Sequence, residues 1–578
     1  MTNAQIADVF DQMADLLEFQ GANAFRIRGY RNGARAIRDL SESVESIVAD
    51  DHRRLLKIDG VGKGVAEKCV TLVETGELPQ LKQLLQEIPE SVLALLRIPK
   101  LGPKKATVLF NELGVTSLDE LRAACEAGKV RELKGFAAKT EQAILDGMAI
   151  AEAANQRIYW AVADEIVGQL REHLARCKSI QQIEFAGSYR RGKETVGDVD
   201  ILVDSGQPDE VMDRLGEFPG IGELIGRGDT KMSIRLDAGF QIDLRVVPTR
   251  SFGAALQYFT GSKEHNVVLR GMAKQRGLKI NEWGVYRTDD DNEVCIAGAT
   301  EEEVYATLDL PRFAPEIRES RREFQWAEDG EIPQLIELKD IRGDLHMHTT
   351  ETDGKASLEE MAAAARERGL KYIAITDHSK RVTMARGLDE KRLLAQWAAI
   401  DKLNEKLGKS FTVLKGIECD ILEKGGMDLR DEVLAQADWV VASVHYGQQQ
   451  PRQQITDRIL AALENTHVSA FAHPTGRLIN KREAYEVDLD AVFAAAKKYG
   501  KLLELNASPM RLDLNDIHCA AAKNHGIPIV INTDAHSVTG LEMMRYGVLQ
   551  ARRAGLTKRD VANTRTWNQV KKMIGKTR

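Results

Sequence analysis

In the second half of this chain, nearly all of nine potential metal-ligating side chains stand at the end of a short apolar run. That pattern restricts the fold more than any other feature. The runs Tyr372–Thr376, Phe411–Leu414, Trp439–Val444, Ser469–Ala472, Leu502–Leu505 and Ile527–Ile531 alternate with longer helical segments. Such a rhythm predicts repeated βα units and a parallel sheet or barrel. The potential ligands are His346, His348, Asp353, His378, Glu418, His445, His473, Asp534 and His536. In a barrel they would cluster at the C-terminal ends of the strands. His346 and His348 are expected on one face of a short strand, because residues i and i+2 point the same way. A lone histidine is usually a satisfied core residue, but a whole series so placed is a metal centre. With no Cys at these sites, the donors suit Zn²⁺ or Mn²⁺, several ions sharing bridging carboxylates. Asp377 is expected to orient a ligand histidine. Arg477, just past His473, either holds a substrate phosphate or sits at the surface. His467, His518 and His525 fit no motif and are expected to be structural or exposed.

The first half follows different rules. Residues 5–150 read as helical, with apolar positions Ile6, Val9, Phe10, Met13, Leu16 and Leu17 at helical spacing. Three segments in this region resemble one another, beginning at Leu55, Leu95 and Val130, with Gly62, Gly102 and Ala137 in register. Each looks like a helix-hairpin-helix, whose glycine turn brings backbone N–H groups close to a DNA phosphate. DNA contact is expected at the first two, through Gly60, Gly62, Gly64, Gly102 and Lys104, and not at the third.

From residue 183 the pattern turns to short β runs: Ile183–Ala186, Val199–Val203, Met232–Leu236 and Phe240–Val247. Asp198 and Asp200 would share a strand face, and Asp243 lies on another run. Carboxylates gathered on one face are costly unless a cation sits between them. Three such groups can hold two Mg²⁺ ions for in-line phosphoryl transfer. The preceding Gly187-Ser-Tyr-Arg-Arg-Gly192 adds a phosphate-holding turn with Ser188 and Arg191.

Net charge is −7, which alone would argue against nucleic acid. Its distribution reverses that reading. Residues 21–145 hold 20 Lys and Arg against 17 Asp and Glu, and Phe25–Arg38 carries five Arg. Only local placement matters to a phosphate backbone. Six scattered Cys without a C-x-x-C pair fit reduced thiols. Neither a long apolar run nor a leader pattern is present in the sequence, so a cytoplasmic location with no membrane is expected.

The stretch Gly187-Ser-Tyr-Arg-Arg-Gly-Lys-Glu-Thr-Val-Gly-Asp-Val-Asp200 resembles the nucleotidyltransferase signature of the family X DNA polymerases. Tyr258–Asn266 through Arg270, and Lys279–Gly284, are similar to the same family's nucleotide-binding segments. The resemblance implies that Asp198, Asp200 and Asp243 bind the catalytic metals, with Asp243 the candidate general base. It implies that Gly187, Ser188 and Arg191 hold the triphosphate, that Tyr258, Phe259 and Gly261 read the sugar, that Asn266 contacts the incoming base and that Arg270 contacts the template. The first hairpin resembles the lyase domain of polymerase beta, where Lys68 would be the Schiff-base lysine or a plain phosphate contact. The second half resembles the polymerase-and-histidinol-phosphatase (PHP) domain, with all nine ligand positions filled for up to three Mn²⁺ or Zn²⁺ ions.

Together these resemblances imply a lyase-like helical domain with a helix-hairpin-helix at 1–80 and a helical DNA-binding domain at 81–150. An α+β nucleotidyltransferase palm would follow at 151–248, then a fingers-type nucleotide-selection subdomain at 249–315, a linker at 316–340 and a (β/α)₇-type PHP barrel at 341–578. The implied activity is gap-filling DNA repair synthesis with a 3′–5′ exonuclease, extending to incision of abasic sites or lyase chemistry. Expected partners are gapped or primed DNA and dNTPs, for a chain working as a monomer. Two alternatives stay open: a silent polymerase half serving as a DNA-binding scaffold, and a PHP half acting on small phosphate esters.

Overall fold

The computed structural model describes residues 1, 3–38, 40, 42–98, 101–145, 157–289 and 292–575. It divides into two compact units, one built mainly from Met1–Arg157 and one from most of the remainder. Among the described residues no helix is long and apolar enough to cross a membrane.

The first unit is helical. Helix Asn3–Phe19 buries Ile6, Phe10, Met13, Leu16 and Leu17 at the predicted spacing. The arginine-rich stretch forms helix Ala24–Arg38. Not all of its charge faces outward. Arg31 pairs with Asp15 and Glu18, and Arg38 pairs with Asp8 (2.7 Å) and Asp11 (2.9 Å) on the first helix. These pairs offset part of the positive charge expected for DNA. Arg28 instead stacks over Phe25, whose ring is 78% exposed.

In the second unit, the palm carries a five-stranded sheet. Strand Asp198–Ser205 lies between Ile180–Phe185 and Gln241–Val247. Along Asp198–Ile201 burial alternates, with Val199 and Ile201 fully buried and Asp198 exposed. The two-residue period therefore aims both aspartates away from the core. A three-stranded sheet, Leu278–Asn281, Gly284–Asp289 and Asn292–Ala297, follows helices Phe252–Thr260 and Lys263–Gln275.

Seven parallel strands form the C-terminal part, in the order Gly343–Asp344, Tyr372–Ile375, Thr412–Asp420, Trp439–Ser443, Ala470–Phe471, Leu502–Asn506 and Ile529–Asn532. Side chains nearly close the ring between last and first. Thr533 Oγ1 donates to Asp344 Oδ2 (2.5 Å), and Asn532 Oδ1 accepts from Leu345 N (3.0 Å). The interior is filled by Leu345, Tyr372, Leu414, Trp439, Val441 and Leu502, with Val570 from the last helix, Trp567–Met573, and Ile574 from its C-cap. A second apolar layer lies between strands and surrounding helices. The first strand ends at Asp344, so His346 and His348 lie just beyond it and not within it.

The first part of the stretch expected as a linker, 316–327, is packed, while 328–340 is largely exposed. Arg318 is fully buried and pairs with Glu301 (2.6 Å). Glu323, also buried, accepts from His265 Nδ1 (2.8 Å), and Ile336 N donates to Leu556 O (3.0 Å). High charge here signals buried ion pairs, a distinction that composition alone cannot make.

Candidate functional site

Chemistry-bearing residues gather at three places: the hairpins, the palm carboxylates and the barrel mouth. In the hairpins, Gly62 and Gly102 cap helices Lys63–Thr75 and Pro103–Leu113 with near-identical backbone (φ −77° and −73°). Val61 N–Ile58 O, Leu101 N–Ile98 O and Phe136 N–Leu133 O repeat one 3.0 Å hydrogen bond. Gly60 and Gly135 both adopt a left-handed turn (φ 87° and 91°), which disfavours a side chain. The third copy thus keeps the hairpin backbone despite Ala137. Gly64 lies inside its helix, and its carbonyl accepts from Lys68 Nζ (3.0 Å). That ammonium also sits 5.7 Å over the Tyr30 ring. Lys100 and the Lys104 side chain lie outside the described residues.

In the palm, the Asp200 carboxyl is pushed up to about 7 by burial and by the charges of Asp198 and Asp243. This is the signature of a site that requires positive charge. Lys231 Nζ, 3.6 Å from Asp243 Oδ1, offsets part of it, and Ser233 Oγ donates to the same oxygen. Gly187 (φ 66°) closes over the site. A Cβ there would meet Asp200 Oδ2 at 3.0 Å, so the turn excludes side chains. Ser188 lies in the short helix Gly187–Arg190 that follows.

The other expected nucleotide contacts are held by the protein itself. Arg191 donates from Nη1 to Thr260 O (2.6 Å) and from Nε to Glu319 (3.1 Å). It lies beside Gly261, where a Cβ would approach Nη1 to 3.3 Å. Asn266 donates to Tyr258 O (2.8 Å) and accepts from Gln257 (2.7 Å), so it positions the helix bearing Tyr258 and Phe259 in this state. Those two rings meet edge to face at 5.2 Å, and Arg245 stacks on Phe259 at 4.4 Å. Arg270 is exposed on helix Lys263–Gln275.

At the barrel mouth the nine donors converge. Glu418 lies at the centre: Oε2 is 2.8 Å from His378 Nδ1 and 3.4 Å from His346 Nε2, and Oε1 is 3.0 Å from His473 Nε2 and 3.4 Å from His445 Nε2. Asp534 Oδ1 is 3.0 Å from His348 Nε2 and 3.6 Å from His346 Nε2. Asp353 Oδ2 is 3.4 Å from His536 and 3.5 Å from His378. Three groups of donor atoms, each within 4.8 Å, result: His348, Asp353, His378 and His536; His346, His348 and Asp534; His378, Glu418 and His445.

The residues fit cations. His346 Nε2, His348 Nδ1, His378 Nδ1 and Glu418 Oε2 are buried and make no hydrogen bond, which is costly unless an ion fills the gap. Burial and the neighbouring His536 and His378 pull His348 down to about 4. Burial also opposes protonation of His378, yet Glu418 and Asp353 raise it to about 10. The carboxylates therefore draw positive charge into the cluster. Backbone strain is stored here too, since His473 (φ 28°) and Asp534 (φ 53°) are left-handed.

Two groups invisible to the motif reading orient the ligands. Glu504 accepts from His346 Nδ1 (2.8 Å) and His473 N (2.8 Å), directing His346 Nε2 inward. Asp420 accepts from His445 N (2.9 Å) and lies 3.2 Å from its Nδ1. A single carboxylate inside the apolar run Leu502–Asn506 was the available signal, because a buried acid must have partners.

Two expectations are corrected. Asp377 accepts from Thr349 N (2.9 Å), Thr349 Oγ1 (2.6 Å) and Gln396 (2.5 Å), so it fixes the loop after His348 and not a histidine ring. Arg477 is neither a surface group nor open to substrate. It pairs with Glu194 (2.7 Å) and donates to Leu512 O (2.6 Å).

Family models match this chain in order: a helix-hairpin-helix domain at 1–78, a SAM-like helix-hairpin-helix tandem at 92–148, a DNA polymerase beta palm at 157–218, a DNA polymerase beta thumb at 255–319 and a PHP domain at 344–508. The thumb match covers the segment expected as fingers-type. The chain is 39% identical over 576 residues to the "DNA polymerase/3'-5' exonuclease PolX" of Bacillus subtilis, covering 99% of each. It is 27% identical to DNA polymerase lambda of Rattus norvegicus over 55% of this chain and 56% of that one. A "Probable phosphatase" of Acetivibrio thermocellus is 30% identical over 33% of this chain and 78% of its own.

Proposed function

The chain belongs to the family X DNA polymerases that carry a C-terminal PHP domain, and on that premise we propose that it repairs short gaps in DNA, adding deoxynucleotides to a 3′-OH in the palm and trimming 3′ ends in the barrel. One observation supports this most: two separate cation-demanding centres, Asp198–Asp200–Asp243 and the nine barrel donors, lie on one chain whose alignment with PolX runs end to end. The substrates are gapped or primed DNA and dNTPs, and the working form is a cytoplasmic monomer.

In the palm, Asp198, Asp200 and Asp243 would hold two Mg²⁺. In the barrel, the nine donors would hold up to three Mn²⁺ or Zn²⁺. When bound, such ions supply Lewis acidity toward a phosphoryl oxygen and activate the attacking oxygen. The protein's part is positioning. Ser188 and Arg191 orient the triphosphate, Tyr258, Phe259 and Gly261 crowd the sugar, and Asn266 and Arg270 face base and template. Asp243 is the carboxylate closest to the primer hydroxyl and accepts its proton. In the barrel, Glu504 and Asp420 fix the ring orientation of His346 and His445. The hairpins at Gly60, Gly62, Gly64, Gly102 and Lys104 grip backbone phosphates without reading sequence. Their modest net charge makes affinity depend on a gap or 5′-phosphate and on salt.

The test is a labelled primer on gapped DNA. The protein extends it with dNTPs and Mg²⁺, and shortens it with Mn²⁺ alone. Failure of extension under every divalent ion would leave only a scaffold. Comparison with small phosphate monoesters decides the barrel's substrate class, since faster turnover of monoesters would remove DNA from that role. Abasic-site incision belongs to the same barrel chemistry and is read on the same gels.

We assign Lys68 a Schiff-base role at a 5′-deoxyribose phosphate. Borohydride should trap wild-type protein on such DNA, and Lys68→Ala should lose the cross-link while binding the DNA equally well. An undiminished cross-link in the variant removes the assignment.

A further inference from the structure

The polymerase turn that would bind the triphosphate is held by the barrel half of the chain. Helix Met544–Arg553 packs directly on it. Gln550 Nε2 donates to Gly192 O (2.9 Å), and a Cβ on Gly192 would strike Leu549 at 2.6 Å. Arg553, the last residue of that helix and only 2% exposed, reaches furthest. Its Nη1 donates to Arg191 O (2.6 Å) and Glu319 Oε1 (3.0 Å), and its Nη2 donates to Asp516 Oδ2 (2.8 Å). The same Glu319 oxygen accepts from Arg191 Nε (3.1 Å), and Lys193 Nζ stands 3.7 Å from the other. Glu319 is thus shared between a palm arginine and a barrel arginine.

Sharing has an electrostatic consequence. Glu319 is held ionised, at about 2: burial opposes the charge, but Arg553, Lys193 and Arg191 outweigh it. A buried carboxylate with several cations places only part of its charge on each. Without Arg553, the full charge falls on Arg191 and Lys193, and Arg191 becomes a worse partner for an incoming polyphosphate. The planar guanidinium of Arg553, with one nitrogen on Arg191 O and Glu319 and the other on Asp516, also fixes direction, which an ammonium does not.

We propose that Arg553 is a positioning residue for DNA synthesis: by sharing Glu319 and bracing the Arg191 carbonyl, it keeps the Arg191 guanidinium available to the triphosphate. The barrel half is therefore a working part of the polymerase site as well as a second active site. This rests on the polymerase reading above and adds to it a dependence of dNTP affinity on a residue far along the chain.

The prediction is a split between constants. In the full-length protein, Arg553→Met should raise the KM for dNTP about tenfold with kcat changed less than about threefold, the size of losing one charge-assisted contact. Trimming of a 3′ end with Mn²⁺ should stay at the wild-type rate. Arg553→Lys should fall between. The decisive variant is Arg553→Met with Glu319→Gln. Removing the unshared carboxylate should return KM to that of Glu319→Gln alone, within about threefold. If Arg553→Met does not fold by thermal melting, Arg553→Lys against Arg553→Lys/Glu319→Gln carries the same test. An unchanged KM overturns the proposal, as does equal loss of extension and trimming or a double variant no better than the single. Absence of extension by the wild-type protein is a different result, which removes the polymerase reading itself.

Discussion

Asp198→Ala removes nucleotide addition and spares 3′ trimming. Asp198 begins strand Asp198–Ser205 and is exposed, so the fold loses little with its side chain. Its value is electrostatic. Together with Asp200 and Asp243 it creates the negative charge that the proposed divalent cations would neutralise. Losing one of three carboxylates forfeits several kcal/mol of cation binding and transition-state stabilisation, which corresponds to a rate loss of at least about a thousandfold. Single-nucleotide incorporation on gapped DNA measures it. The melting temperature should scarcely move. The Asp200 carboxyl, relieved of a like charge, should titrate below the wild-type value in metal-free protein. Loss of trimming in a folded variant would contradict two independent centres.

The sequence was most informative where chemistry fixes residue type at fixed spacing. Asp198 and Asp200 were legible because a strand forces i and i+2 to one side. The convergence of the barrel donors was legible because each apolar run marks a strand and the next polar residue marks its end. Less legible were residues whose role depends on long-range partners. Glu319 and Arg553 are 234 positions apart and meet in one ion pair, and neither belongs to a local pattern. Segment 316–340 looked like a linker because buried and solvated charges have the same composition. Asp377 reads as a histidine's partner because it precedes one, whereas its donors are Thr349, just after His348, and Gln396 from the distant helix Glu390–Leu407. In the helical unit, the five arginines of Phe25–Arg38 read as one positive patch, yet Arg31 and Arg38 pair with acids of the first helix, partners that no local pattern in the sequence marks.

His346→Ala is the complementary case, and its effect should be as large on the other activity. His346 is fully buried, with one ring nitrogen fixed by Glu504 at 2.8 Å and the other aimed between Glu418 (3.4 Å) and Asp534 (3.6 Å). Its ring spans the gap between buried Glu504 on one side and the Glu418 and Asp534 carboxylates on the other. Removing it deletes one of the nine candidate donors and takes a partner from buried Glu504, so bound-metal content and 3′ trimming should both collapse, trimming by about a thousandfold or more. Glu504→Gln separates ligation from orientation. It keeps the shape but weakens the hold on the His346 ring, and such partners are typically worth about 10–100-fold in metal affinity or activity. The variant should therefore trim measurably, recover with added Mn²⁺, and extend primers normally. If Glu504→Gln were as dead as His346→Ala at saturating metal, Glu504 would be acting on the substrate and not on the histidine. If His346→Ala kept its metal and trimmed at the wild-type rate, the barrel centre would have to be assigned to the remaining donors around Asp353 and His536.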